Sequence, residues 1–296
     1  MFENKEMIIG KESMVKIASV QTDLVLGDVK GNVEKGIARI KEAADNGAKL
    51  IVLTELSTSG YAFNNRAEAF AVSEEVPAGD TVGKWEAVAA EKDVYIVAGI
   101  SEKDGNKLYN TSVLVGPEGY IGKYRKLHIW DREKLWYEPG DLGTPVFETP
   151  IGRIAMMICY DVWFQELWRI YGALGADIVC CPVNWVKIDV LPDDMLTFGP
   201  HNVMVGSYDN GVCAAVSDRV GEERGLIYPG MSMILSPLGI PVDGPASRTD
   251  EEIKYAELNL SDSRRLHWAE FAGARLDRRT DVYDVLCGAE GKAMPF

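Results

Sequence analysis

The chain has 296 residues, 47% of them hydrophobic, and a formal charge of −14. That length suits one large α/β domain or two modest ones, and the apolar content fills a core without disulfides or structural metals. The acidic balance argues against a nucleic-acid partner, which needs a basic face, and no run of roughly 18 apolar residues is present to form a membrane span.

The elements follow in chain order. Residues 1–13 read as a polar extension without the basic-then-apolar plan of a signal peptide. Residues 15–20 form a strand, and 32–44 a helix with Val33, Ile37 and Ile40 on one face. A buried strand is expected at 50–53, a helix at 82–91 and a strand at 94–100. Runs 108–115 and 120–124 flank Gly116-Pro117-Glu118-Gly119, a hairpin signal. The second half repeats the style, with strands at 154–158, 178–181, 212–216, 231–235 and 253–258. Helices are expected at 164–174, near 195–208 and, shorter, at 261–269. No linker or repeat divides the chain, so two β-rich layers with helices outside them, in one domain, are the simplest packing.

The cysteines Cys159, Cys180, Cys181, Cys213 and Cys287 are odd in number and hold no CxxC pair. A reduced, cytoplasmic setting is the expectation. The triplets starting at Asn110 and Asn259 fit the glycosylation pattern and, without a secretion signal, read as chance.

Three segments carry possible chemistry. Cys159, in "MICYDVWFQE", sits where a strand gives way to a helix with Asp161 as a plausible cap. A sulfur near a helix N-terminus is favoured as the attacking thiolate, although most buried cysteines are simply structural. Cys180, Cys181, Cys213 and Cys287 have no such cap and read as structural. Glu55 ends the buried run "KLIVLTE", where a carboxylate is costly unless paired, so it is an ion-pair partner, a capping acid or a general base. Lys126, in "GKYRKLHIWDREKLWYEPG", stands beside Lys123 and Arg125, which have the look of ordinary surface charges.

Together, "LTELSTSGY", "GKYRKLHIWDREKLWYEPG" and "MICYDVWFQE", in this order, resemble the three signature regions of the nitrilase superfamily of carbon–nitrogen hydrolases. The resemblance runs from residue 14 to about 286, leaving 287–296 as a tail. It implies an α-β-β-α sandwich in a single domain, and self-association into a homodimer or higher homo-oligomer. It also implies a Glu55–Lys126–Cys159 triad, Glu133 as a second glutamate, and the Tyr160 backbone N–H as an oxyanion donor. Tyr61, Trp130, Trp136, Asn184 and Trp185 become candidate substrate contacts, with Tyr137 in the same wall, and no metal or organic cofactor is required. The implied reaction is hydrolysis of a small linear amide through a cysteine thioester. N-carbamoyl amine or amino-acid hydrolysis, nitrile hydrolysis and a silent binding role are the rivals. Nitrile-cleaving members commonly place Trp-Glu after the nucleophile, and Tyr160-Asp161 here tilts the reading toward amides. Gly206 and Asp209 stand where many relatives carry Arg and Glu, before a retained Asn210, a departure expected to bear on substrate preference. His201, on the same helix, is a substrate contact or, more readily, an ordinary surface or core histidine.

Overall fold

A computed structural model describes residues 14–192, 195–264, 272–274 and 277–282. The polar extension at 1–13, the tail at 287–296 and Cys287 lie outside the described residues.

The first half builds β1 (Met14–Gln21), α1 (Val29–Asp45), β2 (Leu50–Val52), α2 (Arg66–Ala71), α3 (Asp80–Lys92), β3 (Tyr95–Asp104), β4 (Lys107–Gly116) and β5 (Gly119–Arg125). The second half builds β6 (Val146–Thr149), β7 (Gly152–Met156), α4 (Gln165–Ala173), β8 (Ile178–Pro182) and α5 (Gly199–Asn210). Strands β9 (Cys213–Ser217), β10 (Val220–Glu223), β11 (Leu226–Pro229), β12 (Met233–Leu235), β13 (Pro241–Asp243) and β14 (Glu252–Asn259) follow. They form two six-stranded sheets, ordered β14-β1-β2-β3-β4-β5 and β13-β12-β9-β8-β7-β6, with β10 and β11 as a separate hairpin.

Each sheet has three parallel central strands flanked by antiparallel ones. The layering follows from side-chain alternation. Ile17, Leu50, Val52, Tyr95 and Val97 point inward and meet Ile154, Met156, Ile178 and Cys180 of the other sheet. Ala18, Ile51, Ile96 and Ala98 point outward onto Ile40 of α1 and Val82, Trp85 and Val88 of α3. On the far side, Leu167, Trp168 and Tyr171 of α4 and Val203 of α5 cover the second sheet. Helix–sheet–sheet–helix is therefore the observed arrangement. Strands covered on both faces read as continuous apolar runs, which is how they look in the sequence.

Some boundaries move. The helix expected near 195–208 starts at Gly199, and the strand expected from 231 starts at Met233. Residues expected to open a helix at 261 form a 3-10 turn, Leu260–Arg264, and 265–269 lie outside the described residues. Arg125 and Lys123 are not ordinary surface charges. Arg125 is buried, bonded to Glu102, Asp104 and Asp141, and stacked 3.7 Å from the Tyr109 ring. Lys123 reaches the buried Glu102 and the Val76 carbonyl. Among the described residues, no helix is long and apolar enough to cross a membrane.

Candidate active site

Glu55 is delivered by backbone that leaves β2 and keeps running along β3. Leu53 N–H donates to Val97 O at 2.8 Å, Gly99 N–H to Thr54 O at 3.2 Å and Ser57 N–H to Gly99 O at 2.9 Å. The approach is close enough that a Cβ on Gly99 would lie 2.7 Å from Glu55 Cα, so only glycine fits there.

Lys126 follows β5 directly and is held at both ends of its peptide unit. Its N–H donates to Asn110 O, and its carbonyl accepts from Gly140 N–H, each at 2.8 Å. Its Nζ lies 2.7 Å from Glu55 Oε1 and 2.7 Å from Glu133 Oε2. Asn110 Nδ2 bridges the same carboxylates, at 2.7 Å and 2.8 Å. Glu133 sits in a 3-10 turn, Asp131–Leu135, and also accepts Trp130 N–H at 3.0 Å. All four side chains are buried.

This packing sets the protonation states. Burial, reinforced by the Glu133 charge, raises the Glu55 pKa above the ordinary carboxylate range against the pull of Lys126. Burial alone would lower Lys126, but Glu133 and Glu55 together carry it well above its usual value, so it stays an ammonium. Glu55 Oε2 is buried and has no hydrogen-bond partner among the described residues.

Cys159 comes from the other sheet. After β7 the chain makes one more cross-strand bond, Met157 N–H to Cys180 O at 3.0 Å, and then turns sharply with Cys159 at φ +47°. A non-glycine residue in the left-handed region is strained, and this one is held by its surroundings. The holder is Asp161. Its Oδ2 accepts Ile158 N–H at 3.0 Å and Tyr124 O–H at 2.7 Å. Its Oδ1 accepts His128 N–H at 3.0 Å and lies 2.8 Å from His128 Nδ1. One buried carboxylate thus clamps the cysteine turn to the segment that carries Lys126.

Asp161 is therefore not the cap of an α-helix. Cys159 opens a 3-10 turn, Cys159–Trp163, and α4 starts only at Gln165, behind Phe164. The expected thiolate-favouring field is not what the thiol meets. Burial and the nearby Glu55 charge raise its pKa well above normal, only partly opposed by Lys126 and the Asn184 N–H. At rest the sulfur carries its proton.

A narrow cavity opens over Cys159, walled by Tyr61, Trp130, Tyr160, Asn184 and Trp185 among others. A second cavity shares Tyr61 and Trp130 with it but lies over Glu133 and Trp136. Asn184 Nδ2 donates to Glu55 O at 2.9 Å, tying the two sheets together at the site.

The family model described as carbon–nitrogen hydrolase matches residues 16–267. The chain belongs to the carbon–nitrogen hydrolase family. A protein of Pyrococcus abyssi named nitrilase is 41% identical over 91% of this chain and 99% of its own length. A tomato (Solanum lycopersicum) N-carbamoylputrescine amidase is 32% identical over 95% of this chain and 97% of its own. Among solved structures, a carbon–nitrogen hydrolase from Helicobacter pylori G27 superposes with a TM-score of 0.82 at 25% identity, covering 93% of this chain and 98% of that one.

Within this hydrolase, other sequence candidates fall away from the cavity. His201 is exposed on α5, its ring 5.8 Å from that of Phe198. Gly206 packs under Trp168 of α4, where a Cβ would come 2.4 Å from the indole. Neither Gly206 nor Asp209 lines the cavity over Cys159. Tyr137 is buried with its hydroxyl 2.8 Å from Ser101 Oγ, and it lines neither cavity. Cys180, Cys181 and Cys213 are buried within strands, with thiols raised by burial.

Sequence reasoning missed Asn110 and Trp163, and it misread Asp161. Asn110 was visible only as a chance glycosylation triplet, yet it is fully buried against both glutamates. Asp218 was missed too. It accepts Trp185 N–H at 3.1 Å and Arg219 N–H at 2.9 Å, fixing the turn after β8, and burial raises its pKa well above normal.

Proposed function

We propose that this hydrolase cleaves the C–N bond of a small linear amide, giving a carboxylic acid and ammonia through a thioester on Cys159. The observation that supports it most is the buried Lys126 ammonium, held between Glu55 and Glu133 at 2.7 Å each, in a site shared with a strained, buried cysteine.

The raised thiol pKa means that attack and deprotonation go together. Glu55, whose Oε2 is uncommitted, takes the Sγ proton as sulfur adds to the amide carbon. Lys126 and the Tyr160 N–H stabilise the oxyanion, Tyr160 being in the first turn, where N–H groups lack partners within the turn. Glu55 returns the proton to the nitrogen, the C–N bond breaks, and ammonia leaves a thioester. Water enters, Glu55 takes its proton, hydroxide adds to the thioester, and collapse releases the acid while the proton returns to sulfur. Glu133 holds Lys126 and orients the amide nitrogen.

The 41% identity to a protein named nitrilase favours a second reading, a nitrile substrate. The same thiol would add to the nitrile carbon, and one further water would be consumed before the thioester. An N-carbamoyl substrate, as the name of the tomato relative suggests for that protein, would release carbon dioxide as well. A thiol nucleophile suits the reducing, cytoplasmic setting expected from the cysteines. Exposed Ile170 of α4, Leu174 just after it and Val205 of α5 are what the implied homo-oligomer would cover.

The test is ammonia release from matched panels of short amides, nitriles and N-carbamoyl amines, with Cys159→Ala as control. Amide turnover that disappears in the control is expected. Turnover of nitriles with amides inert would replace the amide reading by the nitrile one.

A further inference from the structure

We propose that the acyl group of the substrate is uncharged and apolar, gripped in a slot of aromatic rings that ends at Cys159. This inference rests on the amide reading above and narrows it to a substrate class.

The wall is built from rings that brace one another. Trp130 meets Tyr160 edge-on at 4.6 Å between centroids, Tyr160 lies 5.9 Å from Trp163, and Trp163 meets Trp185 edge-on at 6.4 Å. Such pairs add to the stability gained from burial and hold the ring planes in place, so the slot is preformed. Ile188 and Val186 extend the apolar surface.

No residue described as lining this slot carries a formal charge; its side-chain polarity is limited to Cys159, Asn184, Thr197, the two tyrosine hydroxyls and the indole N–H groups. A carboxylate or ammonium entering it would shed its hydration and meet no counter-charge, which is costly. Of the charges at the slot's end, the Lys126 ammonium is already shared between Glu55 and Glu133, and the Glu55 Oε2 left free is the base of the reaction. The Trp185 indole N–H is buried without a partner among the described residues. A lone N–H of this kind suits a neutral acceptor, such as an ether or carbonyl oxygen.

The adjoining cavity makes the contrast. It carries Asp131, Arg132 and Arg224 beside Glu133, and about 150 Å³ of it is open to water, but Cys159 is not on its wall. The slot over Cys159 is tighter, with about 20 Å³ open to water. That is far below the roughly 300–1,000 Å³ typical of ligand pockets, so the acyl group it takes has few heavy atoms.

The experiment compares pentanamide with two charged counterparts of similar length, 4-aminobutanamide and glutaramate, by ammonia release. The wild-type enzyme is expected to show kcat/KM at least about a hundredfold higher for pentanamide than for either charged amide, a difference expected of an unpaired charge in an apolar site. Ile188→Arg, which puts a cation in the wall, is expected to narrow the gap to glutaramate at least about tenfold, with circular dichroism confirming the fold. Hydrolysis of a charged amide as fast as pentanamide would overturn the apolar slot while leaving amide hydrolysis intact. A folded Ile188→Arg enzyme with an unchanged ratio would overturn the slot as well. No ammonia from any of the three amides would instead remove the amide reading on which the inference rests.

Discussion

The two sheets divide the site between them, and they solve opposite problems. The first sheet supplies the charges: Glu55 beyond β2, Lys126 beyond β5, and Asn110 on β4 locking both glutamates. Here the buried charges are paired with one another, as they must be where a lone charge is expensive, while Glu55 Oε2 and Asn110 Oδ1 have no partner among the described residues. The second sheet supplies the nucleophile, in strained backbone and apolar surroundings that keep it a neutral thiol. One half is held by paired charges, the other is poised. Asn184 and Asp161 join them, through Glu55 O on one side and through Tyr124 and His128 on the other. The lesson is that protonation states are fixed by one sheet and the position of the sulfur by the other.

Breaking the poised half should have the largest effect. Cys159→Ala is expected to abolish turnover in an ammonia assay, whereas Cys180→Ala and Cys181→Ala, which touch only strand packing, should keep most of it. Breaking the charged half comes next. Lys126→Ala should lose about a hundredfold or more in kcat, as for a deleted oxyanion donor. It should also lose about 3–5 kcal/mol of stability in urea titration, because two buried carboxylates are left facing each other.

Glu133→Gln keeps the shape of the cluster but weakens the hold on Lys126. A misplacement of about 1 Å can cost roughly a hundredfold, so turnover should fall to that extent while circular dichroism and reaction of Cys159 with a thiol reagent are unchanged. Asp161→Asn attacks the junction. Asparagine puts an N–H₂ where the carboxylate accepts at both oxygens, leaving Ile158 N–H or His128 N–H without its acceptor. A lost buried hydrogen bond costs about 1–3 kcal/mol, and kcat is expected to fall roughly tenfold with KM little changed. Equal loss of kcat and of native circular dichroism would reduce Asp161 to a purely structural residue.

The smallest effect is a displaced pH limb. Glu55 works as a base only when ionised, and its pKa is raised by burial and by Glu133. The fall of kcat/KM on acidification should therefore lie above the ordinary carboxylate value of about 4.3. Lys126 is raised well above its usual value, so it should contribute no alkaline loss below about pH 10. An acid limb at or below the ordinary value would contradict the protonation states assigned to the charged half.

Much of the fold was legible because both sheets are covered on two faces, which leaves long apolar runs punctuated by turns. The edge strands β6 and β13 and the β10–β11 hairpin were not, being short and half-exposed. Glu55, Lys126, Glu133 and Cys159 stood out through motif order. Asn110 did not, because its partners lie 55 and 23 residues away and no local pattern marks a strand residue that bridges them. Asp161 was noticed for the wrong reason. A carboxylate after a strand resembles a helix cap, and only the tertiary approach of His128 and Tyr124 shows what it holds. Lys123 and Arg125 misled because charge suggests solvent, whereas both bind the buried Glu102, Arg125 buried and Lys123 partly so.

The most direct test of the account is acid-quenched mass spectrometry of the enzyme during turnover of pentanamide. A mass gain equal to the amide minus ammonia is expected on the peptide carrying Cys159, appearing with a first burst of ammonia and absent in Glu55→Gln. Ammonia released at the wild-type rate by Cys159→Ala, with no adduct on any cysteine, would contradict it.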